Sequence, residues 1–320
     1  GSGATAATVV PAIAADCAHV TLLQRSPTYF IPGRNANELA DILRELDVDP
    51  AWTHEIVRRK LLHDQAQFTK RSFEEAETVK AELLEGVRMC LGGDEETLQK
   101  HFTPSYRPWR QRIAFVPDGD LFAGVREGKA SVVTDHIDRF SEKGILLKSG
   151  QELEADIIVT ATGLNLQLFG GMTMTIDGEA VDVSRKVAFK GMMLDGLPNF
   201  AFAVGYTNSS WTLKVGLLCE HFCRLVAHLD QHGHAYCYPQ LPSSDMPTRP
   251  LLDFGAGYVQ RALPMLPRQG LGAPWLMSMN YLEDAKVLRQ GPVLDPNLKF
   301  AAAGTRITPV SDGTRQAATV

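Results

Sequence analysis

The chain has 320 residues, of which 44% are hydrophobic and 22% charged, with a net charge of −5 at pH 7. This composition is ordinary for a globular protein, and the length allows two domains or one domain with large insertions. The slightly acidic balance gives no indication of nucleic-acid binding. No apolar run approaches the roughly 18 residues that a membrane-spanning helix needs.

The cysteine count favours a reducing cytoplasm over a disulfide scaffold, because it is odd and no C-x-x-C or zinc spacing occurs among Cys17, Cys90, Cys219, Cys223 and Cys237. The absence of a redox pair argues against a flavin disulfide reductase. Cys219 and Cys223 lie four residues apart on a predicted helix and are expected in or near the core. Peripheral association with a membrane and the oligomeric state are left open.

The first residues, Gly1-Ser2-Gly3-Ala4-Thr5-Ala6, fit the pattern G-x-G-x-x-[G/A]. This pattern forms the turn between the first strand and the first helix of a dinucleotide-binding unit, where free N–H groups and the helix dipole stabilise phosphate. An ordinary helix start with small residues is the alternative. A buried strand of about five residues normally precedes the turn, so the chain is expected to begin where a longer protein was cut. The helix is predicted from Thr5 to Ala15, with a distortion at Pro11.

The next predicted strand, Val20-Thr-Leu-Leu23, ends at Gln24-Arg25-Ser26-Pro27. Dinucleotide enzymes that use NAD usually carry Asp or Glu about 20 residues after the glycines, where it binds the ribose hydroxyls. Here Arg25 occupies that place, and an arginine suits the 2′-phosphate of NADP. A solvated surface arginine is the alternative.

Helical spacing of apolar residues predicts two or three helices over residues 37–100, inserted into the dinucleotide domain. Residues 101–119 are irregular and rich in Pro, Tyr, Trp and Arg. They include three neighbouring arginines: Arg107, Arg110 and Arg112. Short strands are predicted near Ala130 to Val133 and near Ile145 to Lys148.

Two apolar runs are predicted as strands. Ala155 to Gly163 ends in small residues, which suit a strand that passes close to a cofactor or another backbone, and Pro198 to Gly205 is predicted to be buried. A long helix follows, with Ser209 or Ser210 as its N-cap and Gly233 at its C-terminal stop. Its apolar face is predicted to contain Trp211, Val215, Leu218, Phe222, Leu225 and Leu229. His228, His232 and His234 are interpreted as a solvated helix end and not as a metal site. Residues 241–320 have few clear elements, and the tail after Gly304 is expected to be disordered.

Four segments together resemble class B flavin monooxygenases of the Baeyer–Villiger type: Gly1-Ser-Gly-Ala-Thr-Ala-Ala-Thr8, Gln24-Arg-Ser-Pro-Thr-Tyr29, Asp156-Ile-Ile-Val-Thr-Ala-Thr-Gly163 and Val204-Gly-Tyr-Thr-Asn-Ser-Ser-Trp211. The runs Thr160 to Gly171 and Lys190-Gly-Met-Met193 are similar to a mycobacterial subgroup that activates thioamide drugs. The resemblance extends from Gly1 to about Phe300.

The resemblance implies an α/β fold with two dinucleotide-binding domains, one for FAD and one, inserted into it, for NADPH. Residues 1–150 would form the Rossmann-like NADPH domain, with the helical insertion at 37–100. Residues 151–240 would form the returning part of the FAD domain, and 241–320 an irregular segment and tail. The family's first FAD fingerprint and its signature F-x-G-x-x-x-H-x-x-x-W-P are absent from the chain, which is what an N-terminal truncation would leave.

Site residues carried over from the family cover both cofactors and catalysis. The NADPH pyrophosphate would be held by Gly1, Ser2, Gly3, Ala4 and Thr5, and its 2′-phosphate by Arg25 and Ser26. The segment joining the two domains would contribute Thr162 and Gly163, and the start of the long helix would face the flavin ring with Thr207, Asn208, Ser209 and Trp211. Arg112 matches the active-site arginine. Because Gln111 stands where many relatives have Lys, the match could instead fall on Arg107 or Arg110.

The implied activity is an NADPH- and FAD-dependent monooxygenase. It would insert one oxygen atom from O2 into ketones, or add it to the sulfur of thio compounds, through a flavin C4a-peroxide. A relative that oxygenates only nitrogen or sulfur is the second hypothesis. The third is a chain that holds NADPH without catalysing a reaction. The sequence does not name the physiological substrate.

Overall fold

The computed structural model describes residues 1–305, so the predicted disorder of the tail after Gly304 lies outside the described residues. The chain divides into two compact units, Gly1–Leu164 (unit 1) and Asn165–Val320 (unit 2). The functional boundaries predicted at residues 150 and 240 stay predictions. No helix in the part of the chain that the structure describes is both long and apolar enough to cross a membrane.

Unit 1 is an α/β unit, as predicted. Its helices are α1 Ala4–Ile13, α2 Glu38–Glu45, α3 Pro50–Glu74, α4 Ala76–Cys90, α5 Glu95–His101 and α6 Asp120–Arg126. Its strands are β1 Val20–Gln24, β2 Phe30–Gly33, β3 Ala114–Pro117, β4 Ala130–Thr134, β5 Ile137–Phe140, β6 Gly144–Leu147 and β7 Glu152–Glu154. Strands β5, β6 and β7 form an antiparallel meander.

The predicted strands at Val20 and Ala130 are confirmed, and they pair in parallel as β1 and β4, with Val20 opposite Ala130 and Gln24 opposite Thr134. Their inward side chains and those of α1 and α6 form the core of unit 1, which includes Leu22, Val132, Val10 and Leu121. The carboxyl ends of both strands therefore lie side by side, which is where parallel sheets commonly bind ligands.

A second parallel pair, β2 with β3, was not predicted from the sequence. Both strands contain proline, Pro32 and Pro117, which weakens the strand signal. Because parallel strands need a long crossover, the chain between them carries α2 to α5, four helices where the sequence predicted two or three. The extra break falls at Glu75, whose backbone leaves the helical conformation between α3 and α4.

Three phenylalanines close the core where this crossover returns. The rings of Phe30, Phe102 and Phe122 meet edge to face, with centroids 5.3–5.9 Å apart. All three side chains are buried. Edge-to-face aromatic contacts add to the free energy that their burial contributes, so this trio fixes α5 and α6 against β2.

Unit 2 consists of short strands around one long helix. Its helices are α7 Trp211–His232, α8 Gly257–Ala262 and α9 Tyr281–Asp284, which continues as a π-helix over Ala285–Gln290; 3₁₀ turns occur at Leu168–Gly171, Val183–Arg185 and Leu263–Met265. Its strands are β8 Thr175–Ile176, β9 Glu179–Ala180, β10 Ala188–Phe189, β11 Met193–Leu194, β12 Tyr236–Pro239, β13 Thr248–Pro250, β14 Arg268–Gly270 and β15 Leu298–Ala301. Residues 241–305 thus hold more regular structure than predicted.

The long helix α7 and its stop at Gly233 (φ 66°) are confirmed, but the predicted apolar face is wrong in part. The buried residues of α7 are Lys214, Leu217, Leu218, His221 and Leu225. This stripe leaves Trp211, Phe222, Cys219 and Cys223 exposed, so the expectation of core or near-core cysteines is wrong as well. The cause is that a lysine and a histidine, both hydrogen-bonded, occupy buried positions that periodicity assigns to apolar residues.

The strands predicted at Ala155 to Gly163 and Pro198 to Gly205 do not form. A strand needs a neighbour for its backbone hydrogen bonds, and among residues 1–305 no strand pairs with either run. The first run is open to solvent, with Ile157 80% exposed. In the second run, the side chains of Phe200 and Phe202 pack instead on Phe169.

Candidate functional site

The glycine turn at the start of α1 leaves the first backbone N–H groups of the helix open. Gly3 is the N-cap residue, has extended backbone angles, and no side chain caps the helix there. A Cβ atom added at Gly3 would meet nothing within 4 Å, whereas one at Gly1 would come 3.3 Å from the carbonyl oxygen of Ala161. The turn therefore offers donors for an anion, and the segment that leads to Thr162 and Gly163 passes close to it.

A direct contact joins this turn to the end of β1. The hydroxyl of Ser2, which is buried, donates a hydrogen bond to the carbonyl oxygen of Ser26 over 3.2 Å. Burial lowers the pKa of the Gly1 ammonium group, and the positive charge of Arg25 lowers it further. The structure thus brings together the residues carried over for NADPH: Gly1, Ser2, Gly3, Ala4, Thr5, Arg25 and Ser26.

A buried polar cluster supports the end of β1, and the sequence analysis missed it. The side-chain nitrogen of Gln24 donates to the carbonyl of His101 (2.6 Å) and to the hydroxyl of Thr134 (2.9 Å). The same hydroxyl lies 2.7 Å from His101 Nδ1. Burial lowers the pKa of His101, and the charge of Lys100 lowers it further, against a smaller opposing effect of Asp94. The sequence signal that could have revealed this cluster is Gln24, a polar residue at the end of an otherwise apolar strand.

The segment that carries the three arginines is anchored through aromatic residues. The hydroxyl of Tyr29 donates to the carbonyl of Tyr106 over 2.6 Å, and the two rings meet edge to face. Burial, with the neighbouring Tyr106 and Glu77, raises the pKa of Tyr29 to about 12. The hydroxyl of Thr28 reaches the carbonyl of Arg112 at 3.4 Å. Residues 106–112 are therefore held against the strand that begins at Phe30.

Two of the candidate arginines differ in their surroundings. The guanidinium of Arg107 lies 4.4 Å from the ring centroid of Phe73 and donates to the carbonyl of Pro108 over 3.1 Å. Both side chains are exposed, but Arg112 takes part in a hydrogen bond through its backbone carbonyl, which accepts from the hydroxyl of Thr28. Because Arg107 is engaged in local packing, the geometry favours Arg112 over Arg107 for a contact with a ligand.

The start of α7 combines an open helix end with a close backbone approach. Ser210 is the N-cap residue, but its side chain makes no hydrogen bond to the helix backbone. Thr207, Asn208 and Ser209 are half-buried before it. A Cβ atom added at Gly205 would come 2.4 Å from Cγ of Trp211, so only glycine allows this contact. The first N–H groups of α7 carry the positive end of its dipole.

A buried lysine lies one turn beyond this helix start, and sequence reasoning did not identify it. Lys214 is 1% exposed and pairs with Asp284. The sequence signal that could have revealed its burial is helical spacing, because Lys214 lies three residues before Leu217 and so on the same face of α7. A lysine is rarely fully buried unless it is paired.

The three histidines at the end of α7 cluster at the surface, with ring centroids 4.0–6.0 Å apart. Across residues 1–305, no group of three or more His, Cys, Asp or Glu side chains is arranged to hold a metal ion. All five cysteines are free.

Comparison with known proteins gives close sequence relatives. No family model matches the chain. It is 46% identical over 309 residues to the FAD-containing monooxygenase EthA of Mycobacterium tuberculosis. The alignment covers 94% of this chain and 61% of that protein. It is 42% identical over 308 residues to the putative FAD-containing monooxygenase MymA of the same species, with 95% and 62% covered. The chain thus spans about three fifths of the length of these curated relatives.

The fold also has counterparts among solved structures. One is the crystal structure of OTEMO in complex with FAD and NADP. It has a TM-score of 0.63 and 16% sequence identity, and the match covers 94% of this chain and 66% of that one. At this identity the likeness shows the fold alone.

Proposed function

The chain belongs to the family of FAD-containing monooxygenases, and from that premise we propose that it acts as an NADPH- and FAD-dependent monooxygenase. The reaction would place one oxygen atom of O2 into a ketone, giving an ester or lactone, or onto the sulfur of a thio compound. The observation that carries the proposal is the junction of the glycine turn with the end of β1, through Ser2 and Ser26. Such a junction sets phosphate donors and a guanidinium at one place, as a nicotinamide dinucleotide phosphate requires.

On the NADPH side, the open N–H groups at Gly3 to Thr5 would bind the pyrophosphate, since they lack a side-chain cap. Arg25 and Ser26 would bind the 2′-phosphate, because a guanidinium matches the geometry of phosphate oxygens. Thr162 and Gly163 would border the same turn, to which Ala161 lies close. These residues fit the cofactor in charge and in backbone access.

On the flavin side, Thr207, Asn208, Ser209 and Trp211 would face the ring at the start of α7. The uncapped N–H groups there fit a flavin that becomes anionic on reduction. When bound, FAD would supply hydride acceptance from NADPH and the activation of dioxygen. Arg112 would stabilise the negative charge that develops during oxygen transfer, because its guanidinium stays protonated.

We also propose a reducing, cytoplasmic setting, which the five free cysteines support. Four of them are at least partly accessible to solvent, so their thiols would be prone to oxidation in an oxidising compartment. The substrate would be a small molecule whose reacting carbonyl or sulfur is held away from water.

The test is to incubate the purified chain with FAD, remove free flavin, and record the visible absorbance. We expect bound flavin that NADPH bleaches and air restores. With 18O2, a cyclic ketone should give a lactone carrying one labelled atom, and an aryl methyl sulfide a labelled sulfoxide. Sulfoxide without lactone would favour the nitrogen- and sulfur-oxygenating alternative. NADP binding by a colourless chain would favour the binding-only hypothesis.

A further inference from the structure

A buried carboxylate lies behind the start of α7 and receives two donors. Lys214 Nζ lies 2.9 Å from Asp284 Oδ2, and the hydroxyl of Tyr206 donates to the same oxygen over 2.7 Å. Lys214 Nζ also donates to the carbonyl of Ser278 over 2.6 Å. All three ionisable side chains are buried. We call Tyr206, Lys214 and Asp284 the anchor triad.

The anchor triad encloses the predicted flavin-facing loop from both sides. Tyr206 immediately precedes residues 207–211, and Lys214 lies in the first turn of α7 behind them. Further bonds tie the loop to the same partner segment, because the side chain of Asn208 donates to the carbonyl of Met279 over 3.2 Å. The backbone between Tyr206 and Lys214 is therefore clamped against residues 278–284.

Stability alone does not account for this arrangement. The attraction between buried charges is largely offset by the loss of their hydration, and apolar residues of similar volume often stabilise a protein as well or better. The apolar stripe of α7, with Leu217, Leu218 and Leu225, already fastens the helix in the core. What the triad adds is direction, because hydrogen bonds fix the angles of the groups they join whereas apolar contacts do not.

The protonation states of Tyr206 and Lys214 agree with a role in fixing the direction of these hydrogen bonds. Burial raises the pKa of Tyr206, and Asp284 raises it further, so the hydroxyl remains a donor. Burial lowers the pKa of Lys214, while the negative charge of Asp284 opposes that change.

A second buried lysine of unit 2, Lys190, donates instead to the carbonyl of Pro292 over 3.2 Å, and it provides a matched control.

We propose that Tyr206, Lys214 and Asp284 are positioning residues that hold the backbone of residues 207–211 in the shape that receives the flavin. This inference rests on the proposed function, in which that loop faces FAD. None of the three needs to touch the cofactor, since each acts through the loop. The ligand group that the loop would receive is the isoalloxazine ring of the flavin, placed at the uncapped N-terminus of α7.

The test compares single variants with an apolar replacement of the whole triad in the full chain. Lys214→Met and Tyr206→Phe each remove one donor. The triple variant Lys214→Met/Asp284→Leu/Tyr206→Phe removes all ionisable groups and leaves no charge unpaired. Lys190→Met is the control. For each, we measure deuterium uptake of peptides covering residues 206–213 without FAD, the midpoint of thermal unfolding, and the dissociation constant for FAD from the quenching of flavin fluorescence.

We expect faster deuterium uptake at residues 206–213 in the two single variants, and FAD binding weaker by about tenfold or more, as for the loss of a hydrogen bond to a charged group. The triple variant should recover the wild-type midpoint of thermal unfolding. It should recover neither the slow deuterium uptake at residues 206–213 nor the wild-type affinity for FAD. Lys190→Met should leave uptake and affinity unchanged. A merely structural triad predicts that affinity recovers together with the midpoint.

Two results would overturn the inference. Unchanged uptake at residues 206–213 in the variants would show that the triad does not fix the loop. Faster uptake with unchanged FAD affinity would show that the fixed loop does not receive the flavin. If the wild-type chain takes up no FAD, the proposed function fails for this chain and the flavin role fails with it, while the uptake still decides whether the triad fixes the loop.

Discussion

The hydroxyl of Ser2 donates a hydrogen bond to the carbonyl oxygen of Ser26, 3.2 Å away. This contact fastens the glycine turn before α1 to the residues that follow β1. Arg25 lies between Gln24, whose buried side chain is held by His101 and Thr134, and Ser26. The backbone on both sides of Arg25 is therefore fixed, and the arginine projects from a rigid support next to the glycine turn.

Replacing Arg25 by alanine should weaken NADP+ far more than NAD+, because only NADP+ carries the 2′-phosphate. Losing a hydrogen bond between charged groups costs about 1.5–3 kcal/mol, so we expect the NADP+ dissociation constant to rise about tenfold or more. Calorimetric titration with both nucleotides measures this. Arg139→Ala, an exposed arginine paired with Asp138, is the control. Equal weakening of both nucleotides would contradict the 2′-phosphate role.

Replacing Arg112 by alanine in the FAD-loaded enzyme should leave flavin reduction by NADPH largely intact and abolish oxygenation. The reason is that its fixed charge is needed when negative charge develops during oxygen transfer, not during hydride transfer. Stopped-flow absorbance follows reduction, and product analysis follows oxygenation. Arg107→Ala, which loses a contact with Phe73, should keep oxygenation. Undiminished product from the Arg112 variant would move the role to Arg110 or to another residue.

Replacing Phe102 by alanine should destabilise unit 1 by about 3–5 kcal/mol, the usual range for a buried phenylalanine. Its ring contacts those of Phe30 and Phe122, and all three side chains are buried, so the truncation would leave a cavity in the core. Urea unfolding followed by circular dichroism gives the free energy of unfolding. Phe140→Ala removes the same atoms from a side chain that is 60% exposed and should change little. Similar losses in both variants would mean that the aromatic trio does not form the core.

Unit 2 should lose stability as the pH falls from about 6.5 towards 4. Burial, and then the charge of Lys190, lower the pKa of His221 to about 4 in the folded chain. The unfolded histidine binds its proton near pH 6.5, so the unfolded state takes up more protons in this window and is favoured. The urea midpoint of unit 2 should therefore drop with acidification.

The His221→Gln variant isolates this effect, because glutamine can still bond the carbonyl of Leu288 but does not titrate. Its urea midpoint should be less sensitive to pH between 4 and 6.5 than that of the wild type. His54→Gln on the exposed surface of α3 should behave like the wild type. An unchanged slope in His221→Gln would assign the acid sensitivity to other groups.

Local patterns in the sequence predicted those elements whose own composition or ends carry strong signals. The strand at Val20 follows from its β-branched and leucine residues, and α7 from its long repeat and the glycine that ends it. The strands Phe30–Gly33 and Ala114–Pro117 were not predicted, since each contains a proline, which weakens the strand signal.

The errors arose where side chains depend on distant partners. Lys214 and His221 are buried because Asp284 and Leu288 accept their hydrogen bonds, and no local pattern reveals those acceptors. The runs at Ala155 and Pro198 have the composition of strands but no paired neighbour among residues 1–305. The predicted NADPH residues, in contrast, were identified by a motif whose spacing itself sets the geometry, and the structure brings them together. Their roles stay predictions.

The most direct test of the NADPH site is calorimetric titration of the purified chain with NADP+ and, separately, with NAD+. Unit 1 contains the glycine turn, Arg25 and Ser26, so NADP+ should bind at one site per chain and about tenfold or more tighter than NAD+, given the additional charged hydrogen bonds. Equal affinities, or no heat of binding with NADP+, would contradict the assignment of this unit to NADPH.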